Sequence, residues 1–278
     1  METIVGSPIT RVDALEKVRG AAVYGADVKL PEMLHGAVLR SPHAHARIVS
    51  IDVSAAKAMP GVRAVVTGED LPGVLTGEAI RDMPFVAQGK VRFAGEPVAA
   101  VAAEDEATAR KAIRLIKVAY EELTPVVDAV KAREADAPVI HEEMMNYARI
   151  GVVNPVPNTN IATVNEYRKG DVEKGFRESD YVFENEFRTQ MVQHGAIEPH
   201  CATAQVDCNG KLTVWTPNDS PHRLRKDLAD SLGMTHPKIR VISTYVGGGF
   251  GGKGGVKAEA IAIALADGIS SSEVSHVA

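Results

Sequence analysis

The chain has 278 residues, of which 45% are hydrophobic and 24% are charged, and its formal net charge is -5. This composition is typical of an ordinary globular protein, long enough for one large domain or two average ones and able to bury a core without disulfides. The small net charge and the scattered Lys and Arg argue against a nucleic acid or an anionic membrane as partner. No segment reaches the roughly 18 apolar residues of a membrane span.

Two features bear on the cellular compartment. Residues Met1–Gly6 lack a basic stretch followed by an apolar core, so no Sec signal is expected and the cytoplasm is the default location. The two cysteines, Cys201 and Cys208, match no zinc spacing and make no disulfide framework. We expect two unpaired structural thiols.

The first part of the chain has the pattern of a mixed α/β domain. Short apolar or alternating runs predict three strands, at Leu34–Leu39, Arg47–Val53 and Val62–Thr67. Between the last two, Ser54–Met59 is a short helix candidate for which Ser54 can act as the N-cap.

A strand, a helix and a second strand follow in close succession. Pro97–Ala103 is a continuous apolar run, as expected for a strand covered on both faces. Glu104–Ile116 has helical periodicity, and Lys117–Tyr120 returns to a strand pattern. This β-α-β order with short links predicts α/β layer packing. Residues 134–162 hold several Pro and Asn without periodicity, which indicates a connection between two domains.

The second part of the chain, from about Thr163, also mixes the two types of element. Its expected strands are Val182–Met191, Ala202–Val206, Lys211–Trp215 and Lys238–Val246, and its expected helices are His222–Leu232 and Val256–Asp267. Asn209-Gly210 is a hairpin-turn dipeptide, and Gly233 is a suitable residue to end a helix.

The most informative stretch is Gly247–Gly255, with seven glycines in nine residues between a predicted strand and a predicted helix. Glycine permits positive φ and close approach of another molecule to the backbone. Successive N–H groups at the start of a helix form an anion-binding concavity. The loop therefore predicts a site for an anion or an electron-rich oxygen, with a mobile hinge or a tight strand–helix crossing as the structural alternative.

A dinucleotide site is a weaker interpretation of the same loop. Gly247-x-Gly249-x-x-Gly252 fits the NAD fingerprint, yet only 26 residues follow Gly252, and Phe250 crowds a position usually held by a small residue. No second strand with a ribose-binding acid is evident, because Glu273 lies in a polar tail. Lys253 is followed by Gly rather than Ser or Thr, so the loop is not a Walker A motif either.

Five stretches together resemble the molybdopterin-binding subunit of the molybdenum hydroxylases, the xanthine dehydrogenase and aldehyde oxidoreductase family. They are Arg11–Asp27, Arg40–Ile48, Phe93–Leu123, Gln193–His200 and Gly247–Lys253, in the family's order. The resemblance implies an α/β hammerhead domain over residues 18–133, after an N-terminal extension over 1–17. A linker over 134–162 and the first part of a molybdopterin-binding domain over 163–278 would follow.

The resemblance also implies an activity. In such enzymes a molybdenum centre held by molybdopterin, with the cytosine dinucleotide form as one option, inserts a water-derived oxygen into a C–H bond. The expected substrate is an aromatic heterocycle or an aldehyde, and electrons leave through 2Fe-2S clusters and FAD on partner subunits. The residues implied to hold the cofactor are Gly248, Gly249, Phe250, Gly251 and Gly252.

Two positions depart from the family pattern. Asp219 stands where the family often has a Gln that binds the apical oxo group, and an ionised carboxylate would repel an oxo group. Gly254 stands where xanthine-oxidising members carry a Glu, which argues against purines as substrates. No catalytic residue is therefore assigned within the chain. These departures favour the alternative function, a non-catalytic fragment or scaffold of the same fold.

The family continues for several hundred further residues, with more pterin-binding loops and a glutamate base. The chain is thus expected to be a split subunit or a truncated product, inactive alone. Its expected partners are a second molybdopterin chain or the missing C-terminal half, an iron-sulfur subunit and an FAD subunit.

Several other polar residues have unexceptional interpretations. His43 and His45 are expected to make loop hydrogen bonds rather than to bind a metal. For the group His194, Glu198 and His200 a structural role near a strand end is favoured, with support of the pterin site as the alternative. Glu96 and Asp27 are expected at the surface or in turns.

Overall fold

The computed structural model describes residues 5–268 and the backbone of residues 274–277. Six segments within these limits are α-helical: α1 (Ala14–Val18), α2 (Ser54–Lys57), α3 (Glu106–Ile113), α4 (Val172–Glu178), α5 (Pro221–Leu232) and α6 (Ala258–Asp267). No helix in this part of the chain is long and apolar enough to cross a membrane. Residues 1–4 of the expected N-terminal extension, and Glu273 in the tail, lie outside the described residues.

Twelve strands are described. They are β1 (Met33–Arg40), β2 (Ala46–Asp52), β3 (Val62–Thr67), β4 (Leu75–Thr76), β5 (Met83–Pro84), β6 (Lys90–Val91), β7 (Pro97–Ala103), β8 (Lys117–Glu122), β9 (Ala202–Val206), β10 (Leu212–Thr216), β11 (Ile239–Ser243) and β12 (Val274–Val277). They form a seven-stranded sheet in the order β11-β10-β9-β12-β1-β7-β3, a three-stranded sheet in the order β6-β2-β8, and the pair β4-β5.

The seven-stranded sheet joins the two predicted domains. Strand β12 pairs in parallel with β1 and antiparallel with β9, so strands from both parts of the chain share one sheet. The largest apolar core likewise contains residues from both parts, among them Ala100 of β7, Val214 of β10 and Ile261 of α6. The helix α6 is buried on all sides from Glu259 to Ala266, as expected for a helix that is apolar all round.

Strand β7 confirms the prediction of a strand covered on both faces. Because side chains alternate along a strand, Ala100 and Ala102 face the core that contains α6. Ala99 and Val101 face a second core, built with α2 and α3.

The β-α-β unit is formed by β7, α3 and β8, but its two strands belong to different sheets. Strand β8 pairs antiparallel with β2 in the small sheet. The sequence KVAYEE explains this position, because β8 has polar residues on one face and can bury only the other. The predicted layer packing is therefore made by two sheets with α3 in contact with the larger one.

Two smaller predictions concern helix ends. Ser54 is not the N-cap of α2: Val53 has that position, while the N–H and hydroxyl of Ser54 donate to Asp52 Oδ1 at 3.0 and 2.6 Å. The carboxylate of Asp52 thus takes the role that the sequence suggested for the Ser54 hydroxyl. Gly233 ends α5 with a φ of 63°, as predicted.

The predicted strand Val182–Met191 is wrong for the described structure. Residues 179–201 contain no helix or strand. A strand is stable only when its N–H and C=O groups pair with a neighbouring strand, and the described residues supply no such neighbour here.

Candidate cofactor site

The glycine loop connects β11 to α6. Strand β11 lies parallel to β10 at the edge of the large sheet. Within the loop, φ is +103° at Gly248, +53° at Phe250, +81° at Gly251 and +91° at Gly255. Glycine adopts such angles without steric cost, whereas a left-handed Phe is uncommon and strained. The loop thus turns its backbone sharply where Phe250 projects, and 75% of that side chain is exposed.

The turn leaves a row of backbone donors without acceptors. Among the described residues, the N–H groups of Gly248, Gly249, Phe250 and Gly251 donate to no other group of the protein. The next donor along the chain, Gly252 N–H, bonds to Gly249 O at 2.8 Å and closes the turn. Successive free N–H groups are suited to bind an anion or a polarised oxygen.

The side chain of Glu198 anchors the loop. Its Oε2 accepts from the N–H of Gly247 at 2.6 Å and from Nζ of Lys253 at 2.7 Å, and its Oε1 accepts from the N–H of Gly25 at 3.1 Å. The N–H of Glu198 donates to Gly247 O at 3.2 Å. One carboxylate thereby fixes both ends of the loop and ties them to the N-terminal part of the chain.

Asp219 and its neighbour Asn218 border the loop on another side. The N–H of Asp219 donates to Lys253 O at 3.0 Å, and its carboxylate lies against Gly249, with Oδ2 2.3 Å from the position of a Cβ added there. Asn218 is buried and donates from Nδ2 to Gly255 O at 3.1 Å. The predicted Asp219 is therefore at the loop, and its negative charge lies beside the free N–H groups.

A buried polar cluster lies at the start of α6. Glu259 is 3% exposed and accepts from Thr216 Oγ1 at 2.6 Å and from the N–H of Lys257 at 2.7 Å. Thr216 Oγ1 is also 3.2 Å from the carbonyl oxygen of Cys201. Because a buried carboxylate without partners is costly, these bonds hold β10, the end of the loop and α6 in one arrangement.

The predicted histidines divide into two groups. His194 packs against Gly252, with its Cγ 3.1 Å from an added Cβ, and burial lowers the pKa of His200. His45 instead bonds through Nδ1 to Thr124 O at 2.8 Å in the hammerhead part, as expected of a loop hydrogen bond. No group of three His, Cys, Asp or Glu side chains suited to a metal ion is found within the described residues.

Three of the five family-like stretches meet at this loop. Gly25 from the first, Glu198 from the fourth and the glycine loop itself are joined by the Glu198 carboxylate. The second and third stretches pair with each other elsewhere, through Ser41 N–H to Glu96 O at 2.9 Å and through the Arg47–Glu121 ion pair. Glu96 was predicted at the surface or in a turn, and it ends a turn, since its N–H donates to Phe93 O at 3.3 Å. It is only 3% exposed, however, and its side chain accepts from the N–H of Arg92 at 2.5 Å.

Sequence reasoning did not single out Asn218 and Glu259, and it gave Glu198 only a general structural role. The relevant signal for Glu259 was a lone acid in the apolar run Ala258–Ala266. Buried acids of this kind are paired or hydrogen-bonded. The partners of Glu198 lie far along the chain, so no local pattern could identify them.

The loop has an open face that can receive an oxygen-rich group. A Cβ added at Gly251 or Gly254 would meet no atom within 4 Å, whereas the Gly247 and Gly249 positions are covered by Glu198 and Asp219. A hollow of about 870 Å³ lies between β1 and the start of α6, and residues 247–252 are not in its lining. The open part of the loop is therefore the face around Phe250 and Gly251.

Comparison with known proteins agrees with this fold. Residues 19–124 match the family model described as aldehyde oxidase and xanthine dehydrogenase, a/b hammerhead domain, and residues 153–274 match the molybdopterin cofactor-binding domain. The fold and the two matched domains define a molybdopterin-binding class of protein. The chain belongs to the aldehyde oxidase and xanthine dehydrogenase family and corresponds to part of its molybdopterin subunit.

Similar proteins are longer than this chain. The nicotinate dehydrogenase large molybdopterin subunit of Eubacterium barkeri is 37% identical, over 90% of this chain and 56% of that protein. A probable xanthine dehydrogenase chain of Bacillus subtilis is 36% identical, over 92% and 32%. The structure of reconstituted CO dehydrogenase from Oligotropha carboxidovorans has a TM-score of 0.80 at 32% identity and covers 98% of this chain and 34% of that one. The chain thus spans between a third and somewhat over half of these relatives.

Proposed function

We propose that the chain supplies one wall of the molybdopterin site in a molybdenum hydroxylase that acts on an aromatic heterocycle or an aldehyde. The observation that carries this proposal is the row of free N–H groups from Gly248 to Gly251, which ends at the open face of the loop around Phe250 and Gly251. The family assignment names the cofactor that such a row would receive. The dinucleotide interpretation of the same glycines is not favoured. A strand, β12, does follow α6, contrary to the sequence prediction, but β9 and β10 separate it from β11 in the sheet.

The residues of the loop fit the proposed cofactor. The N–H groups of Gly248, Gly249, Phe250 and Gly251 would donate to its oxygens, as preorganised donors do in sites that stabilise negative charge. The Phe250 side chain would border it and exclude water. When bound, molybdopterin supplies the family's chemistry, the insertion of a water-derived oxygen into a C–H bond. Glu198 and Lys253 keep the donor row in place from the buried side.

Asp219 opposes an anion at one edge of the donor row. Its carboxylate lies beside Gly249, so it must turn away from the donor row when an electron-rich ligand is bound. We therefore expect Asp219→Asn to retain at least as much cofactor as the wild type. The Asp219→Asn variant therefore tests the effect of a negative charge at the site. No catalytic step is assigned to Asp219.

The proposal extends to boundaries and partners. The hammerhead region would cover residues 18–133 and the partial cofactor domain 163–278, with 134–162 as the linker. The remainder of the molybdopterin subunit would complete the site, and iron-sulfur and FAD subunits would take the electrons. The cytoplasmic location stays a prediction.

Metal analysis tests the proposal directly. The native assembly is purified through a tag on this chain, and molybdenum and released pterin are measured. We expect stoichiometric amounts of both. A stable, folded assembly without either would instead support the scaffold alternative.

A set of loop variants tests whether the glycine loop is the cradle. Gly249→Ala should lower retained molybdenum by at least about tenfold, equivalent to about 1.4 kcal/mol. Because the new Cβ also meets Asp219, the double variant Gly249→Ala with Asp219→Ala removes that clash, and cofactor loss should persist in it. Gly254→Ala is the matched control, since its Cβ meets nothing. Full retention in the Gly249 variants would overturn the proposed role of the loop.

A further inference from the structure

Residues 181–192, here called the 181–192 segment, expose an unusual amount of apolar surface. Four of its large side chains are almost fully accessible: Tyr181 is 81% exposed, Phe183 84%, Phe187 88% and Met191 99%. Isolated exposed apolar residues are common, but folded soluble domains rarely expose a contiguous group of this size unless it is an interaction site.

The aromatic side chains and Met191 stand at odd positions of the segment, whereas the exposed Val182 and Val192 stand at even positions at its two ends. The odd positions from 181 to 191 hold the four large side chains together with Asn185 and Thr189. The even positions from 184 to 190 hold Glu184, Glu186, Arg188 and Gln190. A period of two places all the aromatic side chains on one face of an extended chain. Such a pattern specifies a half-buried strand, yet here the chain has no strand partner among the described residues.

The segment is part of the shared fold and not an insertion. The structural match to CO dehydrogenase covers 98% of this chain, so the segment falls within the superposed region or is interrupted by no more than a few residues. The matched relative is a chain of which only 34% is covered. The remaining two thirds of the molybdopterin subunit, which this chain does not match, are therefore available to cover the apolar face.

We propose that the 181–192 segment is an interface strand that pairs with the remainder of the molybdopterin subunit and buries Tyr181, Phe183, Phe187 and Met191 against it. This inference rests on the proposed function only in naming the remainder of the molybdopterin subunit as the partner. That remainder can lie in the same polypeptide or in another. Strand addition supplies partners for the backbone N–H and C=O groups, and the apolar face supplies the affinity.

Hydrogen exchange tests the pairing. The isolated 278-residue chain is compared with the native assembly purified through a tag on this chain. In the isolated chain we expect rapid exchange of amides 181–192, and in the assembly we expect exchange slower by at least about 100-fold. Rapid exchange in the assembly would overturn the proposal. Protection in the isolated chain that increases with its concentration, with a doubled mass, would assign the face to a second copy instead and would also overturn it.

Variants on the two faces test the predicted period. With the remainder of the molybdopterin subunit supplied as a separate polypeptide, Phe183→Glu and Phe187→Glu should each reduce its recovery with this chain by at least about tenfold. Glu184→Gln and Glu186→Gln, on the opposite face, are the matched controls and should leave recovery unchanged. Equal effects on both faces would contradict the strand.

The outcome is independent of the cofactor proposal. Molybdenum content is measured on the same samples, so an assembly with a protected segment and no molybdenum rejects the cofactor site alone. An assembly with molybdenum and an unprotected segment rejects the interface alone.

Discussion

The carboxylate of Glu198 and the ammonium group of Lys253 form a buried ion pair beneath the glycine loop, with Oε2 and Nζ 2.7 Å apart. The Lys253 side chain is 3% exposed and that of Glu198 is 11% exposed. The same Oε2 also accepts from Gly247 N–H. Glu198 thus joins the first residue of the loop, Gly247, to Lys253, which directly follows the implied cofactor-binding residues. The shape of the donor row thus depends on a residue about fifty positions earlier in the chain.

Glu198→Ala should destabilise the protein strongly. Removal of one partner leaves Lys253 buried and unpaired, a change that costs about 3–5 kcal/mol in folded proteins. The free energy of unfolding, measured by urea titration, should fall by about that amount. Molybdenum retention in the native assembly should also fall, since both ends of the loop are released.

An exposed ion pair supplies the control for this measurement. Glu121 pairs with Arg47 in the hammerhead part, and both side chains are more than half exposed. Surface pairs contribute about 0–1 kcal/mol, so Glu121→Ala should have little effect. Equal stability losses for the two variants would show that the buried position of Glu198 is unimportant.

Gly25→Ala is expected to disturb the same anchor from the other side. An added Cβ would lie 2.3 Å from Cys201 Sγ and 2.8 Å from Pro217 Cδ, and overpacking of this kind costs about 1–3 kcal/mol. The urea midpoint should fall, and Cys201→Ala in the same chain should recover part of the loss, because the nearest atom is removed. Gly73→Ala tests only the left-handed backbone, since no atom lies within 4 Å of its added Cβ. A Gly25 variant more stable than the Gly73 variant would contradict the packing argument.

Local sequence patterns predicted several elements in the first part of the chain. The apolar runs Pro97–Ala103 and Val62–Thr67 each predict a strand by themselves, and both strands have the predicted bounds. The seven glycines also predicted a backbone turn with free donors, because glycine permits positive φ and successive N–H groups can form an anion-binding concavity.

Long-range contacts were beyond such patterns. The assignment of β8 to a separate sheet depends on its pairing with β2, and the role of Glu198 depends on contacts with Gly25 and Lys253. The strand expected at Val182–Met191 has the right alternation, but the described part of the chain holds no partner strand for it. In each case the deciding interaction joins residues far apart in the sequence, where periodicity carries no information.

The two cysteines should differ sharply in reactivity. Burial, with a smaller effect of the Glu198 charge, raises the pKa of the Cys201 thiol to about 11, while Cys208 is exposed. The thiolate is the reactive form of cysteine. A rise of the pKa from 9.0 to about 11 therefore lowers the thiolate fraction of Cys201 about 100-fold at pH values below 9.

Mass spectrometry of peptides after iodoacetamide treatment measures this difference. The native chain should be modified at Cys208 alone, and both sites should react in urea. In Cys208→Ser the native chain should remain unlabelled. Rapid native labelling at Cys201 would contradict its buried position beside Gly25.

The His141 side chain should make stability depend on pH. Burial lowers its pKa to about 4 from an ordinary value of 6.5, and the charges of Arg92 and Lys90 act in the same direction. The folded state therefore binds fewer protons than the unfolded chain between these values. Its contribution to stability is complete above about pH 6.5 and is lost as the pH falls toward about 4.

The difference between the wild type and His141→Gln isolates this contribution, because Glu96 titrates in the opposite sense. Burial raises the pKa of Glu96, so its contribution is complete below its ordinary value and is lost as the pH rises. The wild type should lose more free energy of unfolding than the variant between about pH 7 and about pH 5, in urea titrations at both values. Since Glu96 is present in both proteins, its effect cancels in the comparison. Parallel pH profiles for the two proteins would show that His141 is not held neutral by the fold.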